Sequence, residues 1–385
     1  MAYDKVVDSA SLDSKLTQVA DAIRTKGNTS ADLQFPSGFI SAIQAIQTGT
    51  ELKIVVSVTS GATVTATKGS KVVSGTSVNG TCTLTVPETG TWSVKATLGG
   101  ETSDTKSVTF TGRYAVTLSF VSAVLNDNDW AKIKSVSDAG QGANYWSIGD
   151  RKAVTLNGTV GKLSLSNVTT YAFIIGFNHN QNLEGANRIH FQLGKTALSG
   201  GTDVCFCDNR YAPDFGFKPA GAGYFIMNES NANNGGWESS QMRTAICGTS
   251  LSSYSGTIIA VIPAALRAIL KSVTKYTDNT GGGSGSVASN ITATTDYFFL
   301  LSEYEVFGSI SYANSNESSK QAQYAYYSSG NSKIKYKHNG TTTATLWWLR
   351  SPYSRSNYFV DVNLEGGVNL GEGYTSLGFA PGFCV

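Results

Sequence analysis

The apolar and polar positions follow three different patterns along the chain. Residues 1–50 show a helical period, because Leu12, Leu16, Val19 and Ile23 recur every three or four positions. A second, shorter helix is predicted further along, and its apolar side chains are Phe39, Ile40, Ile43 and Ile46. Two short amphipathic helices do not bury their apolar faces by themselves. We therefore expect residues 1–50 to pack against a partner chain or against the next domain.

Residues 51–112 change to an alternation of apolar and polar side chains, the period of a β-strand with one buried face. Four alternating runs are present: Ile54–Val58, Cys82–Val86, Trp92–Leu98 and Val108–Phe110. Turn residues separate them, as at Pro87–Gly90 and at Gly99-Gly100. Short strands at this spacing are typical of a small immunoglobulin-like sandwich. We predict that this domain is a spacer.

Residues 113–385 form the third and largest predicted unit, in which short helices and strands are joined by long polar loops. Arg113–Phe120 is predicted to be its opening strand. Three helices and one flexible loop are predicted after it: Trp130–Ala139, a helix from Ser239 or Ser240 to Gly248, a helix from Pro263, and the loop Gly281–Gly285. This mixture of elements favours an α+β architecture.

Composition and charge disfavour several classes of protein. The formal net charge of +2 gives no basic footprint, so a nucleic-acid partner is not expected. No apolar run approaches the ~20 residues of a membrane span, and the start of the chain lacks the apolar segment of a secretory signal. The five cysteines match no zinc-binding spacing, and we expect all of them to be small buried side chains: Cys82, Cys205, Cys207, Cys247 and Cys384.

The last forty residues, Leu346–Val385, contain the strongest indication of function. Two apolar blocks, LWWL at the start and GFAPGFCV at the end, enclose a centre that is rich in Ser, Asn, Tyr and Gly. Such a centre resembles an antibody-like binding surface, where Tyr provides contact area and small polar residues provide adaptable hydrogen bonds. We expect the frame to be buried and bonded, through Trp347, Trp348, Arg350, Phe379 and Phe383.

The WWLRSP and GFAPGF blocks resemble the end of a C-type-lectin-fold family found in phage tail and prophage proteins. The enclosed centre resembles the variable segment of proteins diversified by retroelements, such as phage tropism determinants. Further blocks extend the resemblance back to about Arg113: LNDNDW, NYWSIGD, GFNHN, NRIHFQ, KSVTKYTDN and TDYFFLLSEYEVFG. The N-terminal helical segment resembles one that is common in phage tail proteins. In C-type-lectin folds the opening strand typically lies near the closing strand.

The resemblance implies an α+β protein with three parts: an N-terminal helical attachment or oligomerisation segment (1–50), an immunoglobulin-like spacer (51–112) and a C-type-lectin-like receptor-binding domain (113–385). It implies a phage tail-tip protein, assembled in the bacterial cytoplasm, that determines tropism by binding a host cell-surface protein or glycan. Other tail proteins would bind the N-terminus, and a homotrimer is expected. The alternatives are an enzyme acting on cell-wall glycans and a structural baseplate protein with an inert lectin-like decoration.

The predicted ligand-binding residues all come from the enclosed centre. They are expected to be largely exposed on one contiguous face: Tyr353, Arg355, Asn357, Tyr358, Asp361, Asn363, Glu365, Leu370, Glu372 and Tyr374. Exposed Tyr and Arg side chains at such a density favour binding over ordinary loop function.

No catalytic, metal or cofactor site is predicted. Asn126–Asp129 lacks the glycine and glutamate of a calcium loop, and we interpret it as a turn and helix N-cap. Calcium-binding lectins use EPN or QPD and WND tripeptides, which are absent here. His190 is interpreted as a structural hydrogen-bonding residue. Lys333, Lys335 and Lys337 alternate with apolar residues, which predicts a strand with one solvated basic face.

Overall fold

A computed structural model of the protein describes residues 9–27, 30, 32–45, 52–110, 114–118, 120–207 and 221–385. The chain divides into two compact units, Met1–Val121 and Ser122–Val385. The predicted boundaries near residues 50 and 112 both lie outside the described residues. The division at residue 121 nevertheless comes later than the predicted start of the third part.

The first unit begins with a helical hairpin, α1 (Ser9–Gly27) and α2 (Ser37–Ala45), as the helical period predicts. Among its described side chains, only Ala20, Ile23 and Phe39 are buried. The other apolar side chains of the predicted stripes are partly or largely exposed, with Leu12 at 45% and Ile40 and Ile43 at 53%. Ile46 lies outside the described residues. The described side chains of the hairpin therefore form a very small core.

The second part of this unit is a two-sheet sandwich. Its strands are β1 (Leu52–Ser57), β2 (Thr63–Lys68), β3 (Lys71–Thr76), β4 (Thr81–Val86), β5 (Gly90–Leu98), β6 (Glu101–Thr102), β7 (Lys106–Phe110) and β8 (Tyr114–Thr117). One sheet has the order β4-β1-β8, and the other has β3-β2-β5-β6, with β7 also paired to β5. The predicted alternation is confirmed, because the burial of β4 alternates strictly and Ile54, Trp92 and Val108 lie in one core.

Strand β8 corrects the prediction that Arg113–Phe120 opens the third unit. Tyr114–Thr117 pairs in parallel with β1, with Ile54 opposite Tyr114 and Ser57 opposite Thr117. Leu118 is buried in the sandwich core, and Phe120 packs against it. The strand therefore completes the sandwich, because its apolar side chains are used there.

The described residues of the second unit form short helices and thirteen strands. Its helices, several of one turn, are α3 (Trp130–Asp138), α4 (Gly142–Tyr145), α5 (Gln181–Glu184), α6 (Gly236–Ser239), α7 (Ile258–Val261), α8 (Ala264–Arg267), α9 (Glu303–Phe307) and α10 (Ala325–Ser328). A π-helix, Met242–Cys247, and three 3₁₀ turns, Leu125–Asp127, Ala288–Asn290 and Ser315–Ser319, complete the helical elements of the described residues. The α+β class is confirmed.

The strands form four sheets. They are β9 (Arg151–Val160), β10 (Leu163–Phe177), β11 (Ile189–Lys195), β12 (Val204–Cys205), β13 (Val273–Asp278), β14 (Ile291–Asp296), β15 (Phe298–Phe299), β16 (Lys335–Lys337), β17 (Gly340–Thr345), β18 (Trp347–Pro352), β19 (Tyr358–Val362), β20 (Val368–Glu372) and β21 (Gly382–Cys384). The orders are β15-β21-β11-β10-β9, β12-β16-β17, β13-β14 and β18-β19-β20. The chain's last strand therefore lies inside the largest sheet.

The predicted helices of this unit are shorter than expected, apart from the first. Trp130–Asp138 is helical as predicted, and Asp129 caps it by accepting a hydrogen bond from the Lys132 amide. The stretch that ends at Gly248 forms a π-helix, and the one after Pro263 forms a single turn. No helix among the described residues is long and apolar enough to cross a membrane.

Candidate functional site

The frame of the C-terminal segment is buried as predicted. Trp347, Trp348, Arg350, Phe379 and Phe383 each have no exposed surface. Both indole groups find acceptors, since Trp347 Nε1 donates to a backbone carbonyl at 2.9 Å and Trp348 Nε1 donates to another at 2.9 Å. Apolar bulk with satisfied polar atoms is the arrangement that fixes a strand in one position.

Arg350 is bonded at the centre of this frame. Its Nη2 donates to Glu305 Oε1 at 2.9 Å, and its Nε donates to Thr277 Oγ1 at 2.8 Å. Burial alone would raise the pKa of Glu305, but Arg350 and then Lys275 hold it well below its usual range. The predicted structural role of Arg350 is consistent with this ion pair, which ties β18 to α9.

Lys275 connects two buried carboxylates to a tyrosine. Its Nζ donates to Glu184 Oε2 at 2.6 Å, to Glu305 Oε1 at 2.9 Å and to the Tyr324 hydroxyl at 2.8 Å. The ligand atoms of His179, Glu184 and Glu305 lie within 4.8 Å of one another, which is a metal-like grouping. The Lys275 ammonium already lies between the two carboxylates and bonds to both of them. The arrangement is therefore a neutralised ion cluster rather than a cation site.

The histidines and cysteines have structural contacts. His190 is fully buried, with Nδ1 3.1 Å from the Tyr324 hydroxyl and 3.2 Å from Cys384 Sγ, which confirms the hydrogen-bonding role. Burial lowers the pKa of His179 to about 3 and lowers the pKa of His190 well below its usual value. Both imidazole rings are therefore neutral near pH 7. All five cysteines are free and buried, as predicted.

The predicted binding residues lie at both ends of one hairpin. Strands β19 and β20 form a hairpin in which Tyr358 lies opposite Glu372 at one end and Val362 lies opposite Val368 at the other. Four residues of strand separate these ends by roughly 14 Å. Six predicted residues belong to the first end, called the open end here: Tyr353, Arg355, Asn357, Tyr358, Glu372 and Tyr374. Asn363 and Glu365 lie in the turn at the other end, and Leu370 lies between.

Exposure also differs from the prediction. Arg355 and Glu365 are exposed, whereas seven of the ten residues are half-buried. Asp361 is fully buried, so its assignment to an exposed face is wrong. It lies opposite Trp348, and its Oδ1 accepts from Asn369 Nδ2 at 3.0 Å while its Oδ2 has no hydrogen-bond partner. Burial raises the pKa of Asp361 to about 7.

The open end is held by a buried amide that sequence reasoning missed. Asn233 Nδ2 lies 3.2 Å from the Tyr353 carbonyl, 2.9 Å from that of Ser356 and 2.6 Å from that of Tyr358. Its Oδ1 accepts from the Gly282 amide at 2.7 Å. The Gly285 amide also donates to the Ser354 carbonyl at 2.7 Å. The loop Gly281–Gly285, which was predicted to be flexible, is therefore held in place by hydrogen bonds at both of these glycines.

A second missed contributor is Tyr312. Its ring lies 5.6 Å from that of Tyr353 in an edge-to-face arrangement, and its carbonyl accepts from the Ser354 amide at 3.1 Å. The Glu303 carboxylate fixes this loop by accepting from the Tyr312 and Ala313 amides at 3.2 and 2.7 Å. The open end therefore includes a loop from outside the last forty residues. The capping box of Ser302 and Glu305 was the available sequence signal for this region.

The predicted basic face of the lysine strand is wrong. Lys335 is 1% exposed, and its Nζ lies 5.1 Å from the Trp347 ring and 5.5 Å from the Phe173 ring, without a hydrogen-bond partner. Burial lowers the pKa of Lys335 to about 8. The strand packs inside the unit between β12 and β17.

One comparison with known proteins gives a match. A family model described as a domain of unknown function (DUF6273) matches residues 224–385, which include the buried frame and the open end. No curated protein matches the chain, and no solved structure matches it.

Proposed function

We propose that the protein is a phage tail-tip receptor-binding protein, which determines host tropism by attaching to a cell-surface protein or glycan without catalysis. The observation that carries the proposal is the open end of the β19–β20 hairpin. Its loops carry half-buried Tyr and Asn side chains and the exposed Arg355. The buried side chains of Asn233 and Glu303 hold these loops in place by hydrogen bonds. A rigid base with variable aromatic and polar contacts is suited to recognition.

The proposal gives the second unit a C-type-lectin-like fold. Short helices, several small sheets and long ordered loops support it, together with the burial of both blocks that carry the resemblance. Trp347 and Trp348 belong to one block, and Phe379 and Phe383 belong to the other. The alternative of an enzyme has less support, because the buried titratable side chains of Glu184, Lys275 and Glu305 are paired with one another.

The helical hairpin would supply attachment. Large apolar side chains are 45–63% exposed in it, among them Val19, Phe35 and Ile43, and this surface needs a partner. In the proposal, the partners are two further copies of the chain and other tail proteins of the virion. The location would be the tail tip, after assembly in the bacterial cytoplasm.

A paired measurement tests the function. Arg355, Tyr358, Glu372 and Tyr374 are replaced together by alanine, and attachment to host cells is measured beside thermal melting. We expect at least a tenfold loss of attachment, because aromatic and Arg contacts carry most of the binding energy. The matched control replaces Asn363 and Glu365 at the other end of the hairpin. Undiminished attachment by a folded fourfold variant would refute the proposal.

A further inference from the structure

The open end brings two tyrosines to one carboxylate. Tyr358 lies directly opposite Glu372 in the antiparallel register, which places neighbouring side chains on the same face. The chain then turns, with the Thr375 amide donating to the Glu372 carbonyl at 2.9 Å. This turn returns Tyr374 to the Glu372 carboxylate, and their hydrogen bond raises the pKa of the tyrosine. All three side chains are half-buried, so each keeps part of its surface in solvent.

The backbone beneath these side chains is fixed. The Gly373 carbonyl accepts from the Met227 amide at 2.8 Å and from the Asn228 amide at 2.9 Å. Asn357 Nδ2 donates to the Asn231 carbonyl at 2.8 Å, and Asn231 Nδ2 lies 3.4 Å from Glu372 Oε1. A ligand would therefore meet a preorganised group, which lowers the entropic cost of binding.

Hydrogen bonding at this place is incomplete. The Oδ1 atom of Asn231 is buried without a hydrogen-bond partner, although the same amide contacts Glu372. Glu372 has no ion pair with any Lys or Arg of the described residues. Native proteins leave few such groups unsatisfied, and those that remain need an explanation. A bound cation would give this carboxylate the charged partner that no Lys or Arg of the described residues provides.

We propose that Tyr358, Glu372 and Tyr374 form a subsite for the guanidinium or ammonium group of an arginine or lysine on a receptor protein. The carboxylate accepts N–H hydrogen bonds from the cation, and these are stronger than neutral ones. The tyrosine rings attract the same cation through their faces. A neutral sugar hydroxyl has no charge to interact with the carboxylate and the ring faces. A quaternary ammonium has the charge but no N–H group to donate to the carboxylate. The inference rests on the proposed receptor-binding function and names the chemistry of its partner.

The side-chain amide of Asn231 provides a direct readout. The full-length protein is labelled with ¹⁵N, and the Asn231 Nδ2 signals are assigned with an Asn231→Asp variant. N-acetylarginine methylamide is the probe, and N-acetylcitrulline methylamide is its neutral counterpart of the same shape. We expect a saturable shift with the arginine probe, at least about fivefold weaker binding of citrulline, and weaker binding at high salt. Absence of a saturable shift, or equal binding of citrulline, would overturn the subsite.

Variants separate the roles of the three side chains. Glu372→Gln should weaken the arginine probe at least about fivefold, since it removes the charge but keeps the shape. Tyr358→Leu and Tyr374→Leu should each weaken it by about two- to fivefold through loss of an aromatic face. Glu365→Gln, an exposed glutamate at the other end of the hairpin, is the control and should leave binding unchanged. Equal weakening by Glu365→Gln would show a general charge effect and overturn the subsite.

The cation series and the cell assay report different failures. Tetramethylammonium should bind more weakly than the arginine probe, and equal binding would overturn the need for N–H groups. If the fourfold variant loses cell attachment but the wild type does not bind the arginine probe, the proposed subsite is refuted and the receptor-binding function is supported. If the wild type binds the arginine probe but the fourfold variant attaches to cells as well as the wild type does, the proposed receptor-binding function is refuted instead.

Discussion

The side chain of Asn233 bonds Gly282 on one side and the loop carrying Arg355 on the other. Its Oδ1 accepts from the Gly282 amide at 2.7 Å, and its Nδ2 lies within 3.2 Å of three carbonyls of the 353–358 loop. Asn233 has no exposed surface. One amide therefore determines the position of two loops that are far apart in the sequence.

Replacing Asn233 should loosen both loops. Asn233→Asp keeps the shape and the acceptor for Gly282, but a carboxylate oxygen then faces the three carbonyls. We expect a loss of at least about 2 kcal/mol in unfolding free energy and faster tryptic cleavage after Arg355. Urea unfolding and a digestion time course measure the two effects. Asn234→Asp, at the exposed neighbouring position, should change stability by less than about 0.5 kcal/mol; similar losses in both variants would contradict the role of Asn233.

Breaking the ion pair between Arg350 and Glu305 should greatly reduce the unfolding free energy of the second unit. Glu305→Gln leaves the buried Arg350 guanidinium without its counter-charge and also removes a partner of Lys275. We expect the unfolding free energy of the second unit to fall by about 3–5 kcal/mol. Calorimetry or urea unfolding measures this change. Lys134→Met, which breaks the exposed pair with Asp138, should alter stability by no more than about 0.5 kcal/mol.

Lys335 should destabilise the fold at neutral pH. A fall in its pKa from 10.5 to about 8 corresponds to roughly 3 kcal/mol of unfavourable free energy for the buried ammonium. Lys335→Met should therefore raise stability at pH 7 by about 1–3 kcal/mol. The folded protein binds fewer protons than the unfolded chain between pH 8 and 10.5, so the wild type recovers stability as the pH rises through this window.

The advantage of Lys335→Met should consequently be greatest below pH 8 and shrink above it. Urea unfolding at pH 7 and pH 10 measures the difference. Lys333→Met, at a half-buried position of the same segment, is the control and should show no such pH dependence. A lower unfolding midpoint for Lys335→Met at pH 7 would indicate that the ring contacts of the ammonium outweigh its burial.

Asp361 should make the second unit more stable in mild acid. Its pKa is raised from 3.8 to about 7, so the folded state binds more protons than the unfolded chain between these values. Stability is full below about pH 4 and is lost as the pH rises to 7, by roughly 4 kcal/mol if burial is the whole cause. Asp361→Asn should remove this loss and unfold at higher urea than the wild type at pH 7.5.

Near pH 4 the Asp361→Asn variant and the wild type should have the same unfolding midpoint. Some dependence on pH should remain in the variant, because burial also raises the pKa of Glu317 to about 7. Glu365→Gln at the exposed turn is the control. If the two proteins differ by the same amount at pH 4 and pH 7.5, the change in stability does not come from the titration of Asp361.

The helical hairpin should oligomerise the protein. Ile40→Asp together with Ile43→Asp places charges on an apolar surface that is about half exposed in one chain. We expect light scattering to give the mass of a trimer for the wild type and a lower mass for the variant, with unchanged melting of the second unit. Asp13→Asn, on an exposed polar position of α1, is the control. A monomeric wild type at micromolar concentration would refute the role of the hairpin.

The boundary between the units shows where local patterns were insufficient. The strand predicted over Arg113–Phe120 is present at Tyr114–Thr117, but no local property distinguishes a strand that closes one domain from a strand that opens the next. Pairing with β1 decided the question. The same limit applies to Lys335, whose alternation with Ile334 and Tyr336 indicated a strand but not which face the surrounding sheets would cover.

Residue type and period by themselves determined the helical hairpin of the first unit, the alternating core of the sandwich, the helix that begins at Trp130, and the burial of the five cysteines. They also determined the burial of Trp347, Trp348 and Arg350. These properties depend on neighbours within a few positions and on the cost of exposing large apolar side chains. Tertiary structure alone decided that Asp361 is buried, that Asn233 pins the glycine run, and that Lys275 lies between Glu184 and Glu305. The side-chain hydrogen bonds of Asn233 and Lys275 join residues 30 to 125 positions apart, and the sequence carries no local period that specifies them.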